Sequence, residues 1–419
     1  MNILIITNYF HPLPIIAAFR LDAFAKYFRS AGHDVTVITY GVENTTSNAF
    51  DCDIRYVTDP TARLYPQKCH FRDTSRYIVP RILKALETRL TLNQLHLWCA
   101  KATKMARQII SEKRIDLLLT TVGFDMACHI CGLRLKTEFP EIFWIADMRD
   151  ELRDPMMRFK LPLLHQILLK SYRRKMQDTL DKSDLLLSVS APIVDGLRRS
   201  SSHHRALEIR NGYDYPEMYD TCFQKRFTMM YLGNFYLNIH PDSWFQAYTE
   251  LLDEGRLPKD SLIKIVGNRV PIKIPDAISQ NVIEMPVVTH DEAVRMSIEE
   301  TDVLVMVYSP RKGRRGVYSG KLLDYLATNK PIISIYDHSD VVGELMRDTR
   351  AGFAVDEDDI PAIKDALMDC YRLWLEKRTM PRDWEKIKEF RRSHQVGLLL
   401  DYLEKEMRDR DTAGKSDMQ

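Results

Sequence analysis

The chain has 419 residues, of which 60 are lysine or arginine and 58 are aspartate or glutamate. A single hydrophobic core stops growing at roughly 250 to 300 residues, so this length predicts two domains. Apolar residues at 45% and charged residues at 28% exclude a fibrous or a disordered chain. The near balance of charge excludes a chain-wide attraction to nucleic acid, and no nucleic-acid partner is expected.

The seven cysteines indicate neither a disulfide framework nor a metal site. Cys128 and Cys131 form a CxxC pair in an apolar helical stretch, but no second pair completes a zinc site. Sparse cysteines without paired spacing favour a reducing compartment. No segment approaches the roughly 18 uninterrupted apolar residues of a membrane span, and the start lacks the pattern of a signal peptide. We therefore expect a cytoplasmic protein.

The first half of the chain alternates strands with helices. Asn2 to Thr7 is typical of a strand buried on both faces, and Ala18 to Ser30 follows with helical spacing before Gly32. A second strand at Val35 to Tyr40 completes a βαβ unit, which implies a parallel sheet. The alternation continues with strands at 116–121, 142–147 and 184–190 and a helix near 125–136.

The turn after the first strand, Asn8 to Pro14, contains no glycine. A dinucleotide pyrophosphate needs close backbone approach at this turn, and glycine is the residue that permits it. The sequence therefore argues against a nicotinamide or flavin cofactor in this half.

The pattern breaks at Arg210-Asn211-Gly212-Tyr213 and then restarts, which indicates a second domain. Its strands are predicted at 228–232, 262–266, 282–285, 302–308 and 331–336. We predict an α/β fold of two doubly wound, Rossmann-like domains, 1–212 and 213–389, which face each other across a cleft. A C-terminal helix at about 390–408 is expected to return to the first domain, and residues 409–419 are predicted to form a disordered tail.

The segment from Gly313 to Pro331 is the most informative for chemistry. It reads GRRGVYSGKLLDYLATNKP and places a basic loop between a strand and a helix, whose free N–H groups suit a diphosphate. Positive charges on or beside this loop are Arg311, Lys312, Arg314, Arg315 and Lys321. Asp324 lies one turn after Lys321, where a carboxylate can accept hydrogen bonds from ribose hydroxyls. Spacing alone equally allows a solvated basic loop followed by an amphipathic helix.

The same segment resembles the nucleotide-binding motif of the GT-B glycosyltransferases, in particular the family 4-like group, whose members carry a similar GKLxEYLAxxKPI sequence. The resemblance implies that Gly320 and Lys321 contact the diphosphate of a nucleotide-sugar and that Asp324 contacts its ribose. It also places Arg315 and Ser319 in the donor site. The family usually has Glu at the position of Asp324. Many members carry another Glu at the position of Gly316, so the usual acidic contact to a donor-sugar hydroxyl is missing there.

The resemblance extends along most of the chain. Similar segments are the opening NILIITNYFHP with Arg20 and residues 32–37, the WxxDxRD-like 144–150, and the NGxD-like 210–214. Residues 390–395 resemble the helix that crosses back to the first domain. By the same resemblance, the strand ends that line the donor cleft carry Gly233, Asn234, Gly267 and Asn268.

Three residues are candidates for catalysis. His129 falls on the helix after 116–121, near where relatives place a functional histidine, although a lone helical histidine is more often a packing residue. Arg149 and Asp150 follow a buried strand and either line the cleft or pair with each other. Residues 12–16 are apolar where relatives are Gly-rich, which suggests an acceptor with a lipid part.

The resemblance implies transfer of a sugar, with retention of configuration, from a nucleoside-diphosphate sugar to a saccharide or lipid-linked saccharide in surface polysaccharide or glycoconjugate synthesis. No metal or cofactor is expected, because cationic side chains and N–H groups can neutralise the leaving diphosphate. Two alternatives stay open: a nucleotide-sugar 2-epimerase of the same fold, and a non-catalytic protein that binds nucleotide-sugar or glycan.

Two stretches, 72–114 and Met156 to Arg174, interleave basic and apolar residues. Basic amphipathic helices can lie on an anionic membrane, which suggests peripheral contact with the inner face of the membrane. A core helix with a solvated basic face explains the same pattern equally well.

Overall fold

The computed structural model describes residues 1–13, 15–41, 43–59, 95–121, 126–149, 162–235, 239–308 and 315–416. The chain divides into two units, Met1–Arg210 with Val396–Gln419, and Asn211–Gln395. Several predictions fall outside the described residues, namely those on Asp150, Arg311, Lys312, Arg314 and residues 72–94 and 156–161 of the basic stretches.

The first unit is built on an eight-stranded sheet. Its strands are β1 (Asn2–Ile6), β2 (Asp34–Gly41), β3 (Thr45–Ala49), β4 (Cys52–Thr58), β5 (Leu117–Thr121), β6 (Phe143–Asp147), β7 (Leu185–Ser188) and β8 (Ala206–Glu208). They follow the order β3-β4-β2-β1-β5-β6-β7-β8. The edge strand β3 pairs antiparallel with β4, and the other neighbouring strands pair in parallel.

Helices cover both faces of this sheet: α1 (Ile16–Ser30), α2 (His96–Glu112), α3 (Ala127–Glu138), α4 (Pro162–Lys182) and α5 (Ala191–Ser200). Leu4 and Ile6 of β1 join a core with Trp98 of α2, whereas Ile3 and Ile5 join a second core with Phe24 of α1. Successive strand residues point to opposite faces, so a strand covered on both faces must be apolar throughout. The uninterrupted Ile and Leu run of β1 meets that requirement.

The second unit holds a six-stranded parallel sheet in the order β11-β10-β9-β12-β13-β14. Its strands are β9 (Thr228–Leu232), β10 (Leu262–Val266), β11 (Val282–Met285), β12 (Val303–Val307), β13 (Ile332–Ile335) and β14 (Gly352–Val355). Its helices are α6 (Asp242–Asp253), α7 (His290–Glu299), α8 (Gly320–Leu326), α9 (Val341–Thr349), α10 (Ile360–Leu375) and α11 (Trp384–Lys388). The strand order reverses between β9 and β12, which makes that point the expected ligand crevice of a doubly wound sheet.

The last helix is α12 (Arg392–Ser416), and from Val396 onward it completes the first unit. Val396, Leu399 and Leu403 pack in the same core as Ile3 and Ile5 of β1. The helix continues to Ser416, and the disorder predicted from residue 409 remains a prediction. Arg410 anchors that end: it donates to Asp184 at 2.8 Å and lies over the Phe143 ring at 4.5 Å.

The two sheets confirm the predicted α/β class with two doubly wound, Rossmann-like domains. Four strands were not predicted from the sequence, β3, β4, β8 and β14. Among the described helices, none combines the length and apolar content that crossing a bilayer requires.

Candidate functional site

The candidate donor site lies where the strand order of the second sheet reverses. Gly233 follows β9, and Lys321 is the second residue of α8, which follows β12. In doubly wound sheets, ligands bind beyond the carboxyl ends of the strands on either side of this reversal. Residues that the sequence placed in one site, 88 positions apart along the chain, are therefore brought to one corner of the sheet.

Gly233 lies directly against the side chain of Lys321. The φ of Gly233 is 111°, and a Cβ at this position would come within 2.4 Å of Lys321 Cε. Glycine is favoured here because this positive φ strains the backbone of other residues, and a Cβ would also displace the end of the lysine side chain. Lys321 Nζ donates to Tyr231 Oη at 2.9 Å and lies 4.3 Å from the centre of that ring. Burial lowers the pKa of Lys321 to about 8.

The loops after β9 and β10 hold each other in place. Gly233 N–H donates to the Val266 carbonyl at 2.7 Å. Asn234 Oδ1 accepts from the Arg269 amide at 2.8 Å, and Asn268 Oδ1 accepts from the Phe235 amide at 3.2 Å. The two predicted asparagines therefore brace the loops reciprocally. Gly267, with a φ of 83°, lets the second loop turn beside Gly233, since a Cβ on Gly267 would lie 3.8 Å from Gly233 Cα.

Asp324 faces a histidine that sequence reasoning missed. Its Oδ2 lies 3.0 Å from Nε2 of His290, the first residue of α7. The Asp324 and His290 side chains are 23% and 35% exposed, so a ligand can reach both. The hydrogen bond to Asp324 raises the pKa of His290. No spacing or motif marks His290, because it is a lone histidine on another helix.

The loop before α8 is held through its backbone. Gly316, with a φ of 81°, donates its N–H to both oxygens of Asp340, at 3.0 and 3.1 Å. The hydroxyl of Tyr336 donates to Asp340 at 2.6 Å. Position 316 therefore contributes a positive-φ turn bound to a buried carboxylate, in place of an acidic side chain.

The remaining predicted donor residues lie at the entrance to α8. Gly320 is its first residue, and the carbonyl of Ser319 accepts from the Leu322 amide at 3.1 Å. The Ser319 side chain makes no capping hydrogen bond, and Arg315 is exposed. The helix α8 is seven residues long, and Lys321 adds a positive side chain to its first turn.

In the first unit, His129 is fully buried on α3. Its Nδ1 lies 2.7 Å from Thr120 Oγ1, which also accepts from the Trp144 indole at 2.9 Å. Gly132 permits this arrangement, because a Cβ there would come within 2.5 Å of the Trp144 ring. Burial lowers the pKa of His129 to about 3, so the imidazole is neutral at physiological pH. A neutral ring is a donor or acceptor of hydrogen bonds rather than a cation.

The WxxDxRD-like segment contributes a buried ion pair. Asp147 receives two hydrogen bonds from Arg20, at 3.0 and 2.8 Å, and one from Thr121 Oγ1 at 3.1 Å. Arg20 also donates to the Ile209 carbonyl at 2.7 Å. Arg149, two residues further along, places Nη1 3.4 Å from the Ala17 carbonyl. The predicted catalytic roles of His129, Arg149 and Asp150 remain predictions.

Within the described residues, one group has the donor atoms for a metal ion. The ligand atoms of Asp337, His338 and Asp356 lie within 4.8 Å of one another after β13 and β14. His338 Nδ1 already bonds Asp356 at 2.9 Å. Such partly exposed acidic groups are common without a metal, and the predicted absence of a metal remains a prediction.

No protein-family model matches the sequence. No curated protein matches it either. Solved structures do match, at 10–11% identity.

Three of these structures cover nearly the whole chain. The N-terminal domain of Candida albicans trehalose-6-phosphate phosphatase has a TM-score of 0.61 at 11% identity, covering 96% of each chain. The Anabaena protein HepE, solved with UDP-glucose, has a TM-score of 0.58 at 10% identity, covering 97% of this chain and 100% of its own. The lipopolysaccharide outer core galactosyltransferase WaaB has a TM-score of 0.57 at 10% identity, with the same coverage. These likenesses show the GT-B fold.

Proposed function

We propose that this protein is a glycosyltransferase that moves a sugar from a nucleoside-diphosphate sugar to a saccharide or lipid-linked saccharide, with retention of configuration. The observation that carries the proposal is the contact of Lys321 with Gly233 where the second sheet reverses its strand order. A lysine packed on a glycine places a cation at a corner of the sheet where no side chain from position 233 obstructs a phosphate. Asp324, one turn further along α8, supplies acceptors for ribose hydroxyls.

In this proposal, Lys321 stabilises the negative charge that develops on the leaving diphosphate. Its ammonium is half-buried against an aromatic ring, where a charge interacts more strongly than in water. The same burial makes the free lysine less stable as a cation, so an incoming diphosphate would restore its charge. We propose that this charge suffices without a metal ion.

We propose the first unit as the acceptor side. Asn8, His129 and Ser190 lie after β1, β5 and β7, at the carboxyl edge of its sheet. Each is at least nine-tenths buried and carries a polar atom, Oδ1, Nε2 and Oγ respectively, without a hydrogen-bond partner in the described part of the chain. Buried polar atoms are normally paired, so unpaired ones at this edge suit hydroxyl groups of a bound saccharide.

The test is release of UDP or GDP by the full-length protein from a panel of nucleotide-sugars, with and without saccharide and glycolipid extracts. The likenesses to HepE, solved with UDP-glucose, and to the galactosyltransferase WaaB make UDP-glucose and UDP-galactose the first donors to try. We expect one donor to release its nucleotide faster when the right extract is present. Conversion of the sugar to its epimer would identify a 2-epimerase, and binding without turnover would identify a non-catalytic protein.

We also propose peripheral contact with anionic lipid through the start of α4. Leu163 and Ile167 are 77% and 58% exposed, and Lys170 and Arg174 on the same helix are exposed as well. Exposed apolar side chains beside cations match the interfacial region of an acidic membrane.

Sedimentation with vesicles that contain an acidic phospholipid is expected to fall as the salt concentration rises. Salt screens the attraction between the basic side chains and the anionic lipid within roughly 10 Å at 0.1 M. The double variant Leu163→Ser, Ile167→Ser is expected to sediment less than the wild type, and zwitterionic vesicles serve as the control. Equal sedimentation of the variant and the wild type with both lipids would show that α4 does not contact the membrane.

A further inference from the structure

We infer that His290 is a positioning residue for Asp324, holding one oxygen of that carboxylate so that the other is presented to a ribose hydroxyl. The inference rests on the proposed donor site and names a residue that selects ribonucleotides within it. It starts from the 3.0 Å contact between His290 Nε2 and Asp324 Oδ2.

The carboxylate of Asp324 needs such a partner. Aspartate ends in an sp²-centred torsion that is broad, so packing alone does not fix the plane of its carboxylate. At 23% exposure the group is partly solvated. A hydrogen bond to Oδ2 restricts that torsion and leaves Oδ1 available to a ligand.

His290 is itself held in place. It begins α7, where the preceding Thr289 caps the helix by accepting from the Glu292 amide at 3.3 Å. Its ring lies 6.4 Å from the Tyr215 ring, centre to centre, at a tilt of 55°. The histidine therefore sits at a helix terminus with a fixed backbone and an aromatic neighbour, which suits a residue that orients another.

The charges around His290 favour its role as a hydrogen-bond donor to Asp324. Asp324 of α8 raises the pKa of His290, Asp291 on its own helix acts in the same direction, and Arg392 at the start of α12 opposes them. Tyr215 also faces Asp324, and burial together with that carboxylate raises the pKa of Tyr215 well above its usual value. Because the pKa of His290 lies above 6.5, a larger share of the ring is protonated near neutral pH, and both of its nitrogens then donate.

The test compares UDP with 2′-deoxy-UDP and 3′-deoxy-UDP, or the GDP series if GDP is the better ligand, on the full-length protein. His290→Ala is expected to weaken ribonucleotide binding about tenfold, because the carboxylate that bonds the ribose loses the group that orients it. The ratio of ribonucleotide affinity to deoxyribonucleotide affinity is expected to fall by a similar factor. His290→Gln, which keeps an N–H donor near the position of Nε2, is expected to restore most of that ratio.

A second readout reports on the pair itself. The NMR titration of His290 is expected to move to a lower pKa in the Asp324→Asn variant, because the group that raises it is removed. An unchanged ribose-to-deoxyribose ratio in His290→Ala would overturn the inference while leaving the donor site intact. Equal loss in the Ala and Gln variants would assign the effect to ring packing and would overturn it as well. A wild-type protein that binds neither UDP nor GDP would instead overturn the proposed function.

Discussion

Lys321→Ala is expected to lower the kcat of sugar transfer by about 100- to 1,000-fold, as removal of one group that stabilises developing negative charge does in other enzymes. Binding of the nucleoside diphosphate is expected to weaken, whereas binding of the bare nucleoside should change little, because only the diphosphate carries charge beside the lysine. Lys321→Met is the sharper variant, since it keeps bulk over Gly233 and removes the cation.

The lowered pKa of the half-buried Lys321 also predicts proton uptake on binding. With a pKa of about 8, roughly half of the free lysine is neutral at pH 8, and a bound diphosphate raises that pKa and returns the proton. Calorimetry in buffers of different ionisation enthalpy should therefore show uptake of about half a proton at pH 8 and little at pH 6.5.

Asp324→Asn serves as the comparison for the lysine variants. It is expected to weaken nucleoside and nucleoside diphosphate by the same factor, about tenfold to hundredfold, because it removes charged acceptors for the ribose. A Lys321→Met enzyme with wild-type kcat and diphosphate affinity would place the lysine outside the site.

Arg20→Met is expected to lower the free energy of unfolding of the first unit by about 3 to 5 kcal/mol. Arg20 and Asp147 are 5% and 0% exposed, and the variant leaves the Asp147 carboxylate buried without its cation. Because a chain of two units need not unfold in one step, the change should appear in the transition of the first unit in urea.

Two further variants separate the ion pair from the loss of packing. The double variant Arg20→Met, Asp147→Leu is expected to recover most of the lost stability, since replacing both members of a buried pair by apolar residues is often neutral. Arg107→Met, which breaks the exposed pair with Glu138, is expected to change the unfolding free energy by about 1 kcal/mol at most. Similar losses in Arg20→Met and Arg107→Met would show that burial adds nothing to the first pair.

Much of the fold was predictable because strands covered on both faces are apolar throughout. The sequence predicted β9, β10 and β11 with the bounds that the structure has. It missed the hairpin of β3 and β4, because Thr45–Ala49 is polar and mostly exposed. Its turn residues Phe50 and Asp51 both have a φ of 56°, a conformation that an Asn-Gly pair usually signals.

The candidate donor site was predictable where a motif or the end of an apolar strand marks its residues. Lys321 and Asp324 share a motif, and Gly233 and Gly267 follow apolar strands. The pairing of His290 with Asp324 and that of Arg20 with Asp147 were not predictable, because only the tertiary structure brings each pair together. Arg20 and Asp147, for example, are 127 positions apart. The full burial of His129 was also not predictable from the sequence. On α3 this polar residue lies among buried apolar residues, and the sequence pattern does not show which side of the helix it occupies.

The discontinuity of the first unit has a consequence for how the protein is made. On the ribosome, residues 211–395 emerge as one continuous piece and can fold while synthesis proceeds, whereas the first unit needs residues 396–419, which emerge after them. Until then, the core that Ile3 and Ile5 share with Leu399 and Leu403 lacks part of its cover. The first unit is therefore completed after the second, and a nascent chain stalled before residue 396 would present an apolar surface to chaperones.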